Sequence, residues 1–344
     1  MNSNKQSLRV LSFTESYFNK YDSALQKDRA FVIEALKVNG NVFQYIDTSF
    51  KKDKEIILTA LKDYKYALKY ADESLRKDKD FILEAVNING NALEYADKEL
   101  QKNREIVLIA LEPKKYERSE PIFRYMSLES SDVFKYADIS LRKNKDIARI
   151  AIKNTKNGLN YVHESIKKDR EFILEAVKYH GEAIEYADEN HKQDKEIALV
   201  AINNSEVGLI YLHKSLKQDK DFVFKAVKKN IHNFEYADVS LKKDRDFILS
   251  LISEYENLLK SSNIPFTELF YGCGGQILRY VDISLKKDKK VVLAAVQSCG
   301  SALEYADESL QKDNEIVLAA VKQNCSAIEY ADESLQKKLN SLQS

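Results

Sequence analysis

Few cysteines, few prolines and no long apolar run are the first marks of this chain. Cys273, Cys299 and Cys325 are its only thiols in 344 residues, too few for a disulfide framework and in keeping with a reducing compartment. No stretch approaches the roughly 18 apolar residues that a membrane span needs. The start, MNSNKQSLRVLSF, has no apolar core of signal-peptide length. The expectation is a cytoplasmic protein with no transmembrane segment, and export to a host cell without a cleaved signal is left open. An excess of either charge is missing too, since Lys plus Arg and Asp plus Glu number 54 each. That balance argues against a general nucleic-acid binder, although not against a local basic stripe. The three prolines, Pro113, Pro121 and Pro265, leave most of the chain free of the residue that interrupts helices most strongly.

What fills the chain is one phrase, repeated. Its clearest copy is DKDFILEAVNINGNALEYADKELQK, Asp78 to Lys102. The Tyr-Ala-Asp landmark or a near equivalent recurs at Tyr45, Tyr70, Tyr95, Tyr136, Tyr161, Tyr186, Tyr211, Tyr236, Tyr280, Tyr305 and Tyr330, and eight of the ten intervals are 25 residues. Self-similarity of this kind changes what every other motif means. Within the unit, Phe81, Ile82, Ala85, Val86 and Ile88 fall on one side of a 3.6-residue period, as do Ala92, Leu93, Tyr95, Ala96 and Leu100. Asp78 suits a helix start, and Asn89-Gly90 suits a stop, with Gly90 taking a positive φ. The unit therefore reads as two helices of roughly ten residues that gain order only by packing. Alternate units differ in kind: AFVIEALKVNG from Ala30 resembles DFILEAVNING from Asp80 more than the stretch between them.

The expected fold is all-α, an alpha-solenoid of about eleven short helical hairpins with a 25-residue repeat and a 50-residue double repeat. Residues 1–27 read as an N-terminal cap, 28–112 as helical repeats, 113–130 as an insertion holding Pro113 and Pro121, and 131–255 as repeats again. Residues 256–275 form a second insertion, with Pro265 and the Gly272, Gly274, Gly275 cluster, and 276–344 close the array with repeats and a C-terminal cap.

Each candidate for chemistry has a plainer explanation. His163 and His213 occupy equivalent positions two hairpins apart, roughly 20 Å at helix-packing distances, too far to share a metal whose Zn–N bonds are about 2.0 Å. His180, His191 and His232 show no ligand spacing, and His-Glu-x-x-His is absent. The cysteines lie near turns and include no Cys-x-x-Cys. The glycines of Tyr271 to Gln276 follow no predicted strand and precede no Gly-Lys-Ser. Paired carboxylates such as Asp72 with Glu73 recur in most units, whereas catalysis needs one site with one perturbed environment. No catalytic residue, cofactor or metal is expected.

The basic pairs Lys51-Lys52, Arg76-Lys77, Arg142-Lys143, Lys167-Lys168, Lys242-Lys243 and Lys286-Lys287 each precede the Asp or Asn that opens the next first helix. Stacked in register they would form a ladder on one edge, the candidate interaction surface. Positive charge after a helix is also locally favourable, and neighbouring acids dilute the ladder's field.

Three phrases, EFILEAVKYHGEAIEYADE at 171–189, KKVVLAAVQSCGSALEYADESLQKD at 289–313 and NEIVLAAVKQNCSAIEYADESLQK at 314–337, resemble the DUF4116 repeat family. The resemblance covers most of residues 28–337 outside the insertions. It implies a repeat protein of uncharacterised function and supplies no catalytic residue. This chain departs from the pattern at His163 and His213, in place of the Asp of Tyr-Ala-Asp, and at Ile231, in place of glycine. The functional expectation is a non-enzymatic protein-protein interaction scaffold. The alternative is nucleic-acid or anionic-surface binding through the basic ladder.

Overall fold

The computed structural model describes residues 26–113, 132–205, 208–261 and 274–337. The N-terminal cap apart from Gln26 and Lys27, the first insertion apart from Pro113, and residues 262–273 of the second lie outside them. The chain divides into two units, Met1–Phe172 and Ile173–Ser344. Within each, the same three-part module follows itself in an all-helical repeat architecture, and no strand occurs among the described residues.

The module has three helical pieces rather than the expected two. In the copy from Asp78 they are the α-helix Lys79–Ile88, the 3-10 helix Gly90–Tyr95 and the one-turn α-helix Lys98–Gln101. Asp78 caps the first by accepting from the Phe81 N–H at 3.1 Å. Phe81, Ile82, Ala85 and Val86 are all buried on its inner stripe, and Ala92, Leu93 and Ala96 are buried with them. Ile88, Tyr95 and Leu100 are half-buried.

The expected ten-residue second helix is broken at the landmark itself. Ala96 and Asp97 are both extended, with ψ of 152° and 149°. Asp97 accepts from the Glu99 N–H at 3.0 Å and caps the short helix. Its own N–H donates to the Arg76 carbonyl of the preceding repeat at 2.9 Å. Aspartate offers the backbone a local alternative to helix, and the inter-repeat bond takes the N–H that a continuous helix would have used. The same bond recurs as Asp72 to Lys51 and His163 to Arg142 in the first unit, and as His213 to Lys192, Asp307 to Lys286 and Asp332 to Gln311 in the second.

Glycine acts by size and not by φ. Among the described residues none has a positive φ, contrary to the expectation for Gly90. The long helix ends instead at Asn89, extended at φ −147°, whose N–H donates to the Ala85 carbonyl. The buried Asn89 side chain accepts from the Asn91 N–H and donates to the Leu61 carbonyl one repeat back. A Cβ built on Gly90 would stand 2.3 Å from the Ala110 carbonyl oxygen of the next long helix, and Gly40, Gly181, Gly275 and Gly300 meet the equivalent alanine carbonyl at 2.1 to 2.8 Å. The second glycine class, Gly158 and Gly208, is pressed against the long helix of its own repeat, at Ala151 and Ile202. Those two open four-residue pieces, whereas Gly90 and Gly181 open six-residue ones, so units of two kinds do occur.

The second insertion begins as a continuation of helix. Arg245–Ser261 runs 17 residues, so its first six positions, 256–261, extend the preceding element. No helix among the described residues is long and apolar enough to cross a membrane.

Candidate interaction surface

The two members of each basic pair have different tasks. The first turns back onto its own repeat: the Nζ of Lys167 donates to the Asn160 carbonyl at 3.1 Å, that of Lys242 to Glu235 at 2.5 Å and that of Lys286 to Arg279 at 3.1 Å. Each closes the carbonyl end of a short helical piece, which otherwise lacks intrahelical partners. Gln101 and Gln311 do the same to the Leu93 and Leu303 carbonyls, at 2.9 and 3.0 Å, so the bond needs a donor and not a charge. Burial holds Lys242 and Lys286 below the usual lysine range. Lys51 is exposed, and its carbonyl accepts the Asp72 N–H. Arg76 and Arg142 are half-buried, and in both the Nε is buried with no hydrogen-bond partner.

The second member is exposed and faces the Asp of the next landmark. Lys52 lies 3.6 Å from Asp72, Lys243 3.7 Å from Asp282 and Lys287 3.7 Å from Asp307. Lys77 pairs with Glu73 at 2.6 Å within its own turn. Lys143 and Lys168 are exposed. A second row of pairs joins the first residue of each long helix to the Asp cap of the next: Lys54 to Asp78 at 2.6 Å, Lys145 to Asp169, Lys195 to Asp219 at 2.5 Å and Lys289 to Asp313 at 2.8 Å. The basic positions are thus in register one repeat apart, but most alternate with carboxylates.

His163 and His213 stand in for the capping aspartate. Each Nδ1 accepts from a backbone N–H, of Ser165 and Ser215 respectively, at 3.2 Å. Among the described residues no group of three His, Cys, Asp or Glu side chains converges as metal ligands would. Cys325 is exposed and free. Cys299 is buried, with its Sγ 3.2 Å from the Ser301 Oγ. Stacking explains how distant positions meet there: a Cβ on Gly275 would lie 2.8 Å from the Cys299 Cβ, one repeat away in sequence.

The Tyr95 and Tyr136 hydroxyls both reach Glu94. Burial pushes Tyr95 up to about 12, assisted by Glu94, and burial together with a hydrogen bond to Glu94 raises Tyr136 further. Between these repeats lies a groove of about 490 Å³, bordered by Glu94, Lys98, Gln101, Lys135, Tyr136, Asp138, Ile139 and Arg142. Of these Tyr136 and Asp138, in the landmark, and Arg142, in a basic pair, stand out in the sequence. Lys98 had a partial signal, because the same position is an acid at Glu73, Glu164, Glu189 and Glu308, though lysine again at Lys214.

Opposite titrations give a pH window. A hydrogen bond from Lys54 lowers Asp78, one from Lys145 lowers Asp169, and the Ser74 hydroxyl lowers Asp72. A carboxylate lowered by folding contributes stability above its unfolded value, near 4, and loses it as pH falls through the folded value. The raised tyrosines bind their proton more tightly in the fold, so their neutral form ceases to favour it as pH rises above about 10. The expected result is a melting temperature that is flat between about pH 5 and 9 and falls on both sides. Circular dichroism melts across pH 3 to 11 check it, and a melting temperature that climbs below pH 4 contradicts the capping account.

The model of one family, described as a domain of unknown function (DUF4116), matches residues 8–51, 28–76, 78–129, 122–167, 169–217, 208–242, 219–263, 271–311 and 288–336. No curated protein and no solved structure matches the chain.

Proposed function

The chain belongs to the DUF4116 family, whose description assigns no function, and from that premise we propose a non-enzymatic protein-protein interaction scaffold, a solenoid of about eleven short helical repeats. One observation carries this reading: the polar side chains that could do chemistry are spent, repeat after repeat, on capping and pairing. Asp97 and His163 hold helix starts, Lys242 and Gln101 close helix ends, and Lys54 pairs with Asp78. What such an array offers a partner is a surface made of many equivalent edges. Crosslinking in the native host followed by capture of the intact chain is expected to recover a protein partner. Recovery of none, under conditions where the chain is folded, removes the reading.

The alternative is nucleic-acid or anionic-surface binding through the basic pairs. Interleaving of Lys52, Lys243 and Lys287 with Asp72, Asp282 and Asp307 weighs against it. Mobility shift at two salt concentrations decides the point, because phosphate binding weakens steeply with salt.

A further inference from the structure

We propose that the groove between the Gly90–Tyr95 and Val133–Tyr136 repeats is a docking site for an acidic peptide segment, with Arg142 as the carboxylate-binding residue. The inference rests on the scaffold reading and names the class of partner at one place on it.

Cations are paired with carboxylates over much of this surface; in this groove Arg142 acts on Asp138 only at longer range, and two lysines have neutral partners. Lys98 donates to the neutral Gln101 Oε1 at 3.0 Å, and the Lys135 Nζ lies over the Tyr136 ring, 4.7 Å from its centroid. Arg142 and Arg76 are the two arginines at a register otherwise held by lysine or glutamine. Lysine or glutamine at that position bonds a carbonyl of the preceding short helical piece, as Lys242, Lys286, Gln101 and Gln311 do. In both arginines the Nε is instead buried without a hydrogen-bond partner, and of the two it is Arg142 that borders the groove. A guanidinium holds its donors in a planar fork that matches a carboxylate.

The acids of the groove are already engaged. Glu94 bonds the Tyr136 hydroxyl, and Asp138 accepts from the Ser140 N–H at 2.9 Å. Their presence disfavours a polyanionic backbone, which would run past both carboxylates. A peptide fits better, because Ile139 is 46 % exposed at the rim and offers an apolar contact beside the three cations.

The test is fluorescence anisotropy of the full chain with a labelled peptide of glutamate and leucine, its glutamine-and-leucine counterpart, and a labelled oligothymidylate. The expected result is saturable, salt-weakened binding of the glutamate peptide alone, reduced about ten- to a hundred-fold by Arg142→Gln, as loss of a charge-assisted contact implies. Combined Lys98→Glu and Lys135→Glu substitution should abolish it. These variants use residues already found at the same register: glutamine at Gln101 and Gln311, glutamate at Glu73 and Glu308 for position 98, and at Glu94 and Glu304 for position 135. The fold is therefore expected to survive them, with unchanged circular dichroism as the check. Absence of binding, binding that the variants leave intact, or tighter binding of the oligonucleotide overturns the proposal. A partner captured from the host with equal yield by Arg142→Gln and native chains sinks the proposal while the scaffold reading stands.

Discussion

Gly90→Ala is expected to destabilise the fold by about 1–3 kcal/mol, the usual cost of forcing extra volume into a packed site. The sign is the informative part. With no positive φ at Gly90, backbone entropy alone predicts that alanine stabilises, by about 0.4–1 kcal/mol. The added Cβ, however, would stand 2.3 Å from the Ala110 carbonyl oxygen and 3.3 Å from the Val133 Cγ2. Backbone cannot swing aside as a side chain can, so the two repeats must separate. The register is not glycine throughout: Ile231 occupies it, buried, with Leu251 twenty residues on in place of alanine. Cys325 occupies it at the exposed end of the described repeats. Urea unfolding of Gly90→Ala beside the native chain decides the matter, and an increased midpoint contradicts the close-approach account.

Phe81→Ala should cost more, about 3–5 kcal/mol. The ring is among the largest fully buried side chains, at 1 % exposure, and the Lys54 Nζ of the preceding repeat lies 5.6 Å from its centroid. Repeats stabilised by their neighbours lose interface and intrinsic stability together when one is emptied. The expected signature is a lowered midpoint with a shallower transition, since part of the array then unfolds before the rest. Ile283→Ala, 68 % exposed, is the control and should stay within about 0.5 kcal/mol of the native chain. Equal losses from both substitutions would mean that burial does not set stability here.

The periodic stripe was legible because the long helix keeps its 3.6-residue pattern: Phe81, Ile82, Ala85 and Val86 are the residues the pattern picks and the residues the fold buries. The break at Ala96-Asp97 was hidden for a physical reason. Ala92, Leu93 and Ala96 have spacings that suit a helix, and what extends the chain there is a hydrogen bond to the Arg76 carbonyl of another repeat. The candidate surface was half legible. Its basic pairs could be read, but not that Lys242 and Lys286 point back to their own carbonyls while Lys243 and Lys287 face carboxylates.

Sequence alone determined the helical repeat, the alternation of its units, the buried stripe and the family, because each is written in spacing along the chain. Tertiary structure alone decided why glycine is required, where the landmark breaks, and which cations are paired with carboxylates. Those depend on which atoms of neighbouring repeats meet, as the Ala110 carbonyl meets Gly90, and a distance between repeats leaves no period of its own in the sequence.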